Sequence, residues 1–305
     1  MLTVSNYHYI RENFTSPYPS IFGLTPEMFE RQLLLLKEIG TFIHPKDLLQ
    51  DPNTILKSDQ NFILVTFDDG LKEQFDLAKP ILDKLYIPAL FFINSINHLE
   101  KEVSLVHKVH LLRSRIASSV LLSIITEWDS KYNLDLIQKE KAESHYNYDD
   151  KKSAYLKYLL NFKLSVSEQS RLMGTLFEQF FDKNEVLDSL YMSEFQIKNL
   201  GELGMLGSHT HSHYALGLLS SEIIKEELSI SKEYLEQLTK EKIRFVSYPY
   251  GNDIACAKPV PELAKESGYI IGFTIERGIN TGNENKLLLK RFDCNDLVGG
   301  KNYKL

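Results

Sequence analysis

The sequence is poor in cysteine, and the two cysteines that it has do not suggest a disulfide framework. Cys256 and Cys294 are the 2 cysteines among 305 residues, and they lie far apart without the short spacing of a metal-binding pair. Disulfide-rich secreted domains use many more cysteines in much shorter chains. The pattern therefore predicts two free thiols in a reducing cytoplasm.

Long apolar runs and a leader segment are also missing. No stretch approaches the roughly 20 apolar residues that a membrane-spanning helix needs. The first residues, Met-Leu-Thr-Val-Ser-Asn-Tyr-His, lack the basic region and apolar stretch of a signal peptide. We therefore expect no transmembrane segment and a cytoplasmic location.

Charge of one sign is not concentrated anywhere along the chain. The formal net charge is −6, and neither end carries a block of like charge. Because non-specific nucleic-acid binding needs a concentrated basic surface, we expect no nucleic-acid partner. A neutral sugar or peptide substrate is compatible with this charge balance.

Strand-like and helix-like segments alternate in the first and last parts of the chain. Residues 61–67 and 87–93 are apolar runs typical of buried parallel strands, and a helical segment at 72–85 lies between them. This order implies a parallel sheet with right-handed crossovers. Residues 98–188 have helical periodicity and no strand-like run. We predict one α/β catalytic domain over residues 1–305, with a helical insertion at 98–188.

Two adjacent carboxylates follow the first of these strands. Asp68 and Asp69 stand where the strand ends, and Gly70 lets the chain turn sharply after them. Parallel α/β folds bind ligands at the carboxyl ends of their strands. Adjacent like charges repel, and a cation bound to one carboxylate leaves the other to accept protons. Asp-Asp-Gly alone would rather indicate a solvated turn with a helix cap.

Three histidines alternate in the sequence His-Thr-His-Ser-His at residues 209–213. His209 and His213 are four residues apart, which places both imidazoles on one face if the segment is helical. Imidazole is the commonest ligand of zinc-like metals, and a carboxylate oxygen suits them as a third ligand. Such a set leaves a position open for water. The cluster predicts a metal site, with His211 as a supporting or solvent-facing residue.

A Pro-aromatic-Gly turn follows a third strand-like segment. The sequence Tyr248-Pro249-Tyr250-Gly251 ends the run at residues 244–248. Proline fixes the backbone of such a turn, which can then expose an amide towards the site. Taken alone, this pattern indicates only a turn.

Together these motifs resemble the polysaccharide deacetylase family, also known as NodB homology domains or carbohydrate esterase family 4. The family's motif order is Thr-Phe-Asp-Asp-Gly, His-Thr-x-x-His and Tyr-Pro-Tyr-Gly, found here at residues 66–70, 209–213 and 248–251. The resemblance covers residues 1–97 and 190–295, and the insertion lies outside it. It implies a distorted (β/α)7 barrel of the NodB type with a helical insertion.

The resemblance also implies roles for these residues. Asp69, His209 and His213 would bind one divalent metal ion, usually zinc. Asp68 would be the general base that activates water, and the amide of Tyr250 would help the metal to hold the oxyanion. The reaction would be hydrolysis of the N-acetyl group of an amino sugar, releasing acetate and a free amine.

Two departures from the family pattern concern the proton donor and an arginine. The family's late histidine, in a Leu-x-His motif, is missing because no histidine follows His213. The family often has an arginine before the Pro-Tyr-Gly turn, where Ser247 and Tyr248 stand here. Since a leaving amine must be protonated, the general acid has to come from elsewhere.

Two further segments resemble the poly-N-acetylglucosamine deacetylase branch of the family. Tyr-His-Tyr-Ile at residues 7–10 is similar to that branch's N-terminal Tyr-His-x-Ile, whose histidine serves as the acid. The resemblance gives this role to His8, the alternative being an ordinary buried or capping histidine. Leu-Lys-Arg at the other end of the chain resembles a late Leu-Pro-Arg segment. Its Arg291 would orient Asp68 or the substrate, or form a structural ion pair, and Pro249 is expected beside the substrate.

The sequence therefore predicts an N-acetylated sugar substrate, in a glycan or a glycan precursor. A related C–N amide hydrolase acting on a small non-sugar substrate would use the same site and is one alternative. A catalytically silent member of the family that binds glycan is the other, because the late histidine is missing. The insertion is expected to cover or border the substrate groove.

Overall fold

The chain forms two compact units in the computed structural model. The structure describes three stretches, residues 1–18, 20–147 and 149–303. The first unit has three segments, Met1–Asn13, Gly23–Glu102 and Val186–Leu305. The second unit has two, Phe14–Phe22 and Val103–Glu185. The second unit therefore lies within the predicted insertion but also recruits residues near the start of the chain, which the sequence pattern did not indicate.

The strands of the described residues all belong to the first unit. They are β1 (Leu2–Tyr7), β2 (Tyr9–Ile10), β3 (Gly23–Leu24), β4 (Thr41–Phe42), β5 (Phe62–Phe67), β6 (Ala89–Ile93), β7 (Leu206–Ser208), β8 (Phe245–Ser247), β9 (Ile271–Phe273) and β10 (Phe292–Asp293). Seven of them form a continuous parallel sheet in the order β10-β1-β5-β6-β7-β8-β9, and β4 pairs with the start of β5. The short strands β2 and β3 pair with each other.

The last part of the chain connects the two ends of this sheet. The amide of Leu289 donates to the carbonyl of Gly272 in β9 at 2.8 Å, and Thr274 donates back to Leu289 at 2.9 Å. Shortly after Leu289, the chain enters β10, which pairs with β1. The sheet therefore curls into a half-closed barrel. The predicted seven-stranded NodB-type fold is confirmed.

The helices connect these strands and make up most of the second unit. In chain order they are α1 (Pro26–Ile39), α2 (Pro45–Gln50), α3 (Pro52–Lys57), α4 (Lys79–Leu85), α5 (Ile96–Leu99), α6 (Leu105–Arg115), α7 (Ser118–Trp128), α8 (Leu136–His145), α9 (Lys151–Phe162), α10 (Val166–Phe180), α11 (Lys183–Leu190), α12 (Glu194–Glu202), α13 (Ser221–Thr239) and α14 (Val260–Glu266). A π-helical turn, Gln74–Ala78, precedes α4.

In helix α1, the local sequence determines the start, the buried face and the end of the helix. The hydroxyl of Thr25 accepts a hydrogen bond from the amide of Met28, and a proline occupies the first helical position. Phe29 and Leu33 recur at helical spacing and are fully buried. The helix ends before Gly40, as the sequence predicts.

The register of the sheet aligns the ends of its central strands. Tyr7 pairs with Phe67, Ile93 pairs with Ser208, and each of these is the last residue of its strand. In a parallel sheet such ends lie at one edge. The residues that directly follow these four strands therefore lie at that edge: His8, Asp68, Asn94 and His209.

The second unit is helical. In α10, the Ser165 hydroxyl accepts from the amide of Glu168 at 3.3 Å, and the Glu168 carboxylate accepts from the amide of Ser165 at 2.9 Å. The amide of Tyr18 donates to the carbonyl of Ser114 at 3.3 Å, which joins segment 14–22 to α6.

Among the described residues, no single helix is long and apolar enough to cross a bilayer. Only α6 and α7 taken together, with a bend of 119° between them, reach that length and composition.

Both cysteines are buried free thiols, as predicted. Burial raises the pKa of Cys256 and also that of Cys294. A thiol must ionise to act as a nucleophile. Burial therefore disfavours the reactive thiolate form of both cysteines at neutral pH.

Candidate active site

Asp69, His209 and His213 form a compact cluster of atoms that could hold a metal ion at the edge of the sheet. Oδ1 of Asp69 lies 3.4 Å from Nε2 of His209 and 3.2 Å from Nε2 of His213. One ligand atom from each residue lies within 4.8 Å of the others, and all three residues are buried. Ligands bound at about 2.0–2.1 Å to one tetrahedral zinc ion would be about 3.3 Å apart, so the cluster fits such an ion. The structure thus brings together the three predicted ligands.

The ring of His209 is oriented by a hydrogen bond on the side away from Asp69. Its Nδ1 atom lies 2.7 Å from the carbonyl oxygen of Ser247, the last residue of β8. Because a carbonyl can only accept, Nδ1 carries the proton, and in the neutral ring Nε2 keeps its lone pair. Hydrogen bonds of this kind fix the tautomer of metal-binding histidines.

The histidine motif is a loop and not a helix. It follows β7, and Thr210 and His213 have left-handed backbone with φ values of 64° and 61°. The helical arrangement considered for this spacing is therefore wrong. The loop nevertheless brings the rings of His209 and His213 together, with centroids 5.0 Å apart. Residues held in left-handed backbone persist only where the surroundings enforce them, and they cluster at functional sites.

Neighbouring groups hold the histidine loop in this conformation. One carboxylate oxygen of Glu227 accepts from the amides of His211 and Ser212 at 3.1 and 2.7 Å. The ring of His211 contacts Ser95 Oγ at 2.8 Å and Glu100 Oε1 at 2.9 Å. Both ring nitrogens of His211 are therefore engaged. This histidine supports the loop and does not join the ligand cluster.

Asp68 is held by a buried arginine. Nη1 and Nη2 of Arg291 donate to the two carboxylate oxygens at 2.9 and 2.7 Å, and the exposed fractions of the Arg291 and Asp68 side chains are 1% and 3%. The guanidinium also donates to Ser247 Oγ, to the Thr274 carbonyl and to Asn6. Such a bidentate contact fixes the plane of a carboxylate. This single contact therefore both orients Asp68 and forms a buried ion pair, which are two of the roles considered for Arg291.

Opposite charges decide the protonation states at this edge. Burial raises the pKa of Asp68, but the guanidinium of Arg291 outweighs it and holds this pKa well below its usual value. The charges of His209 and His8 act in the same direction. Burial lowers the pKa of His209, but the carboxylates of Asp68 and Asp69 raise it above its usual value. The site therefore favours ionised carboxylates with positive charge between them, which is the environment that a divalent cation requires.

His8 lies at the same edge, directly after β1, and is half-buried. The Tyr-His segment thus stands at the end of the first strand. Nε2 of Gln74 donates to the carbonyl of His8 at 3.0 Å and to the carbonyl of Asp68 at 2.6 Å. The structure thus joins the segment that carries His8 to the segment that carries Asp68.

The Pro-aromatic-Gly turn lies next to His213. The ring of Tyr250 meets the ring of His213 with centroids 5.3 Å apart. Tyr250 and Gly251 have left-handed φ values of 61° and 48°, and Pro249 is buried. In the described part of the chain, the amide of Tyr250 makes no hydrogen bond. This amide is therefore free to donate to an oxyanion.

Several residues that build the site were not recognised from the sequence. Gln74 and Asn6 occur in no motif, and only their contacts reveal them. Glu227 did carry a signal, because it lies on the buried face of α13 with Ile224 and Leu228. A buried carboxylate needs hydrogen-bond partners, and here these are the amides of the histidine loop.

A comparison with protein families supports the motifs. The family model for polysaccharide deacetylase matches residues 188–271, which include His209, His213 and the Tyr250 turn. The resemblance to the polysaccharide deacetylase family is confirmed. A comparison with curated protein sequences finds no match.

Solved structures of deacetylases share the fold of this chain. The deacetylase PplD of Streptococcus pyogenes, in complex with acetate, is 18% identical with a TM-score of 0.57, over 96% of this chain and 91% of its own. IcaB from Ammonifex degensii is 19% identical with a TM-score of 0.56, over 95% and 90%. The BpsB deacetylase domain from Bordetella bronchiseptica is 15% identical with a TM-score of 0.55, over 96% and 95%. At these identities the likeness is one of fold.

Proposed function

We propose that the protein is a metal-dependent N-deacetylase that hydrolyses the acetamido group of an amino sugar in a glycan or glycan precursor. The observation that carries this proposal is the buried cluster of Asp69, His209 and His213 beside a separately held carboxylate, Asp68. A structural zinc site closes its coordination with four protein ligands, whereas a catalytic site has three and an open position. The arrangement here is of the catalytic kind.

The ligand set suits one zinc ion. Two imidazole nitrogens and one carboxylate oxygen are donors that zinc prefers. Bound there, the ion would supply Lewis-acid polarisation of the acyl carbonyl and of the attacking water. The Ser247 carbonyl, bonded to Nδ1 of His209, would keep this ring in its binding tautomer.

Asp68 is in the right state to accept a proton from the attacking water. Its depressed pKa keeps the carboxylate ionised at neutral pH, and Arg291 fixes its plane. A carboxylate paired with a guanidinium is a weaker base than a free one. Orientation towards the water is therefore the larger part of what Asp68 contributes.

Two other groups complete the reaction. His8, at the end of β1, would donate the proton that the leaving amine requires. The free amide of Tyr250, beside His213, would donate to the oxygen of the acyl group as negative charge develops there. Together with Asp68, these groups account for the base, the acid and the oxyanion donor of an amide hydrolysis.

The substrate class follows from the family and from the deacetylases that share the fold. The polysaccharide deacetylase family match covers the histidine loop and the Tyr250 turn. The motif at residues 7–10 and the late Arg291 favour the poly-N-acetylglucosamine deacetylase branch. We therefore infer an N-acetylated amino sugar as the substrate.

Acetate release from N-acetylglucosamine oligomers by the purified, zinc-loaded protein tests this proposal. We expect a chelator to stop the release and added zinc to restore it, with bound metal measured in parallel. Release from small non-sugar amides but not from the oligomers would contradict the substrate class. Bound zinc without release from any amide would contradict the assignment as an enzyme and favour a silent glycan-binding protein.

The replacement His8→Ala should lower turnover of N-acetylglucosamine oligomers by about 10²- to 10⁴-fold, the usual share of general acid catalysis. Metal content should not change, because His8 lies outside the ligand cluster. The matched control is His44→Ala, which removes a histidine that caps α2 and should leave turnover near the wild-type level. If His8→Ala also retained wild-type turnover, the proton donor would be another group.

A further inference from the structure

We infer that Gln74 is a positioning residue that holds the proton donor His8 at its working distance from the base Asp68. This inference rests on the proposed function of the site. Gln74 touches neither the ligand cluster nor the reacting atoms in the contacts that the structure describes. It would act through the backbone of His8, the proposed proton donor to the leaving amine, and of Asp68, the proposed base for the attacking water.

The contacts of Gln74 are specific for an amide donor. Its side chain is fully buried, and its Nε2 atom lies 3.0 Å from the His8 carbonyl oxygen and 2.6 Å from that of Asp68. An amide nitrogen carries two hydrogens, so each carbonyl can accept one of them. The reversed amide would place an oxygen against two carbonyl oxygens, which cannot bond. The hydrogen bonds therefore depend on the NH2 group and not only on the volume of the side chain.

This link begins where the sheet stops joining the two segments. Strands β1 and β5 are paired up to Tyr7 and Phe67, and the amide of Asp68 still donates to the carbonyl of Tyr7 at 3.1 Å. Beyond that point, the side chain of Gln74 bridges the backbone carbonyls of His8 and Asp68. Without it, the backbone of His8 would lose its direct connection to Asp68.

The neighbouring residue anchors the same segment. Glu73 accepts from the amide of Ile10 at 3.0 Å and from Nε of Arg11 at 2.6 Å. Consecutive side chains of a regular helix point in different directions. Here Gln74 begins a π-helical turn, a feature frequent at functional sites, and both side chains reach residues 8–11. The turn after Asp69 is thus shaped to hold the segment that carries His8.

Loss of the Gln74 bonds should affect the acid more than the base. Asp68 has its own support in the bidentate contact with Arg291 and in a hydrogen bond from Asn6 at 3.2 Å. The backbone of His8 has no comparable side-chain support besides Gln74 among the described contacts. Freeing it should therefore impair protonation of the leaving amine.

Gln32 provides a matched control within the same protein. It is also buried, and its Nε2 atom donates to two backbone carbonyls, those of Cys294 and Val298, at 2.7 and 3.1 Å. It lies in α1 and takes no part in the proposed chemistry. Replacing either glutamine with methionine keeps a long unbranched side chain and removes two hydrogen bonds. The two variants should therefore lose similar stability.

The experiment compares Gln74→Met with Gln32→Met on two substrates. One is an N-acetylglucosamine oligomer, and the other is an aryl acetate whose leaving group departs without a proton. For Gln74→Met we expect kcat on the oligomer to fall by about 10- to 100-fold, as for a catalytic group displaced by about 1 Å, with KM and metal content nearly unchanged. Its turnover of the aryl acetate should stay close to wild type. Gln32→Met should keep wild-type turnover of both substrates, although its melting temperature falls by a similar amount.

Three outcomes would overturn the inference. Wild-type kcat of Gln74→Met on the oligomer would show that the link has no role in the reaction. Equal losses on amide and ester would show that Gln74 acts through the base or the metal and not through His8. Absence of activity in the wild-type protein on both substrates would overturn the proposed function, and the inference with it.

If Gln74→Met does not fold, Gln74→Asn serves as the second variant. It keeps the amide but is one methylene shorter, so it cannot reach both carbonyls. We expect the same selective loss on the oligomer. Wild-type kcat on the oligomer for Gln74→Asn would contradict the inference.

Discussion

Removing either histidine of the ligand cluster is expected to abolish both metal binding and deacetylation. His209→Ala or His213→Ala leaves two of the three proposed protein ligands. Even an outer hydrogen-bond partner of a metal ligand typically contributes about 10- to 100-fold to affinity, so loss of a ligand itself should cost more. Without the ion, neither the acyl carbonyl nor the water would be polarised, and acetate release should fall to background.

His211, the third histidine of the same loop, is the control. His211→Ala removes an imidazole that is also buried and whose nitrogens contact Ser95 and Glu100. It should keep stoichiometric zinc, although the loop is less well supported. Metal content after dialysis, chelator competition and circular dichroism would be measured for all three variants. Full zinc occupancy in both His209→Ala and His213→Ala would contradict the ligand assignment.

The elements of the barrel could be predicted because their signals are local. The apolar run at 61–67 forms β5, and the helix predicted from the cap at Thr25 and the periodicity after it is α1. Periodicity could not distinguish the π-helical turn Gln74–Ala78 from the helix predicted over 72–85. The hydrogen bonds of the two helix types differ in span by a single residue, and the π-helical segment is only about one turn long.

The clustering of Asp69, His209 and His213 could be predicted from residue types and spacing, but the geometry of the cluster could not. The loop of His209 and His213 owes its left-handed residues to contacts with Glu227 and other residues that are distant in sequence. Arg291 reaches Asp68 across 223 positions of the chain. Such pairs depend on how β1, β5 and β10 come together, which no local pattern records.

The replacement Asp68→Asn should lower turnover by about 10²- to 10⁴-fold while the protein keeps its metal. An amide has nearly the same shape as the carboxylate but cannot accept the proton of the attacking water. The ligand atoms of Asp69, His209 and His213 are unchanged by this replacement. Loss of zinc in step with loss of activity would instead make Asp68 a ligand.

The same replacement should also destabilise the fold, because Arg291 stays buried without its counter-charge. Removing one partner of a buried ion pair typically costs about 3–5 kcal/mol. The double variant Asp68→Asn/Arg291→Met, which removes both charges, should recover part of this loss. Urea unfolding with a chelator present, which excludes the contribution of bound metal, would measure the three free energies of unfolding.

The pH dependence of this stability separates the ion pair from simple packing. The pKa of Asp68 in the folded protein lies below the value of about 3.9 of an unfolded aspartate. The pair therefore stabilises the folded state fully above that pH, and its contribution is lost as the pH falls through the folded pKa. Wild type and Asp68→Asn should differ most at neutral pH and converge in acid. A difference that does not change with pH would mean that Asp68 stabilises the fold by its shape and hydrogen bonds and not by its charge.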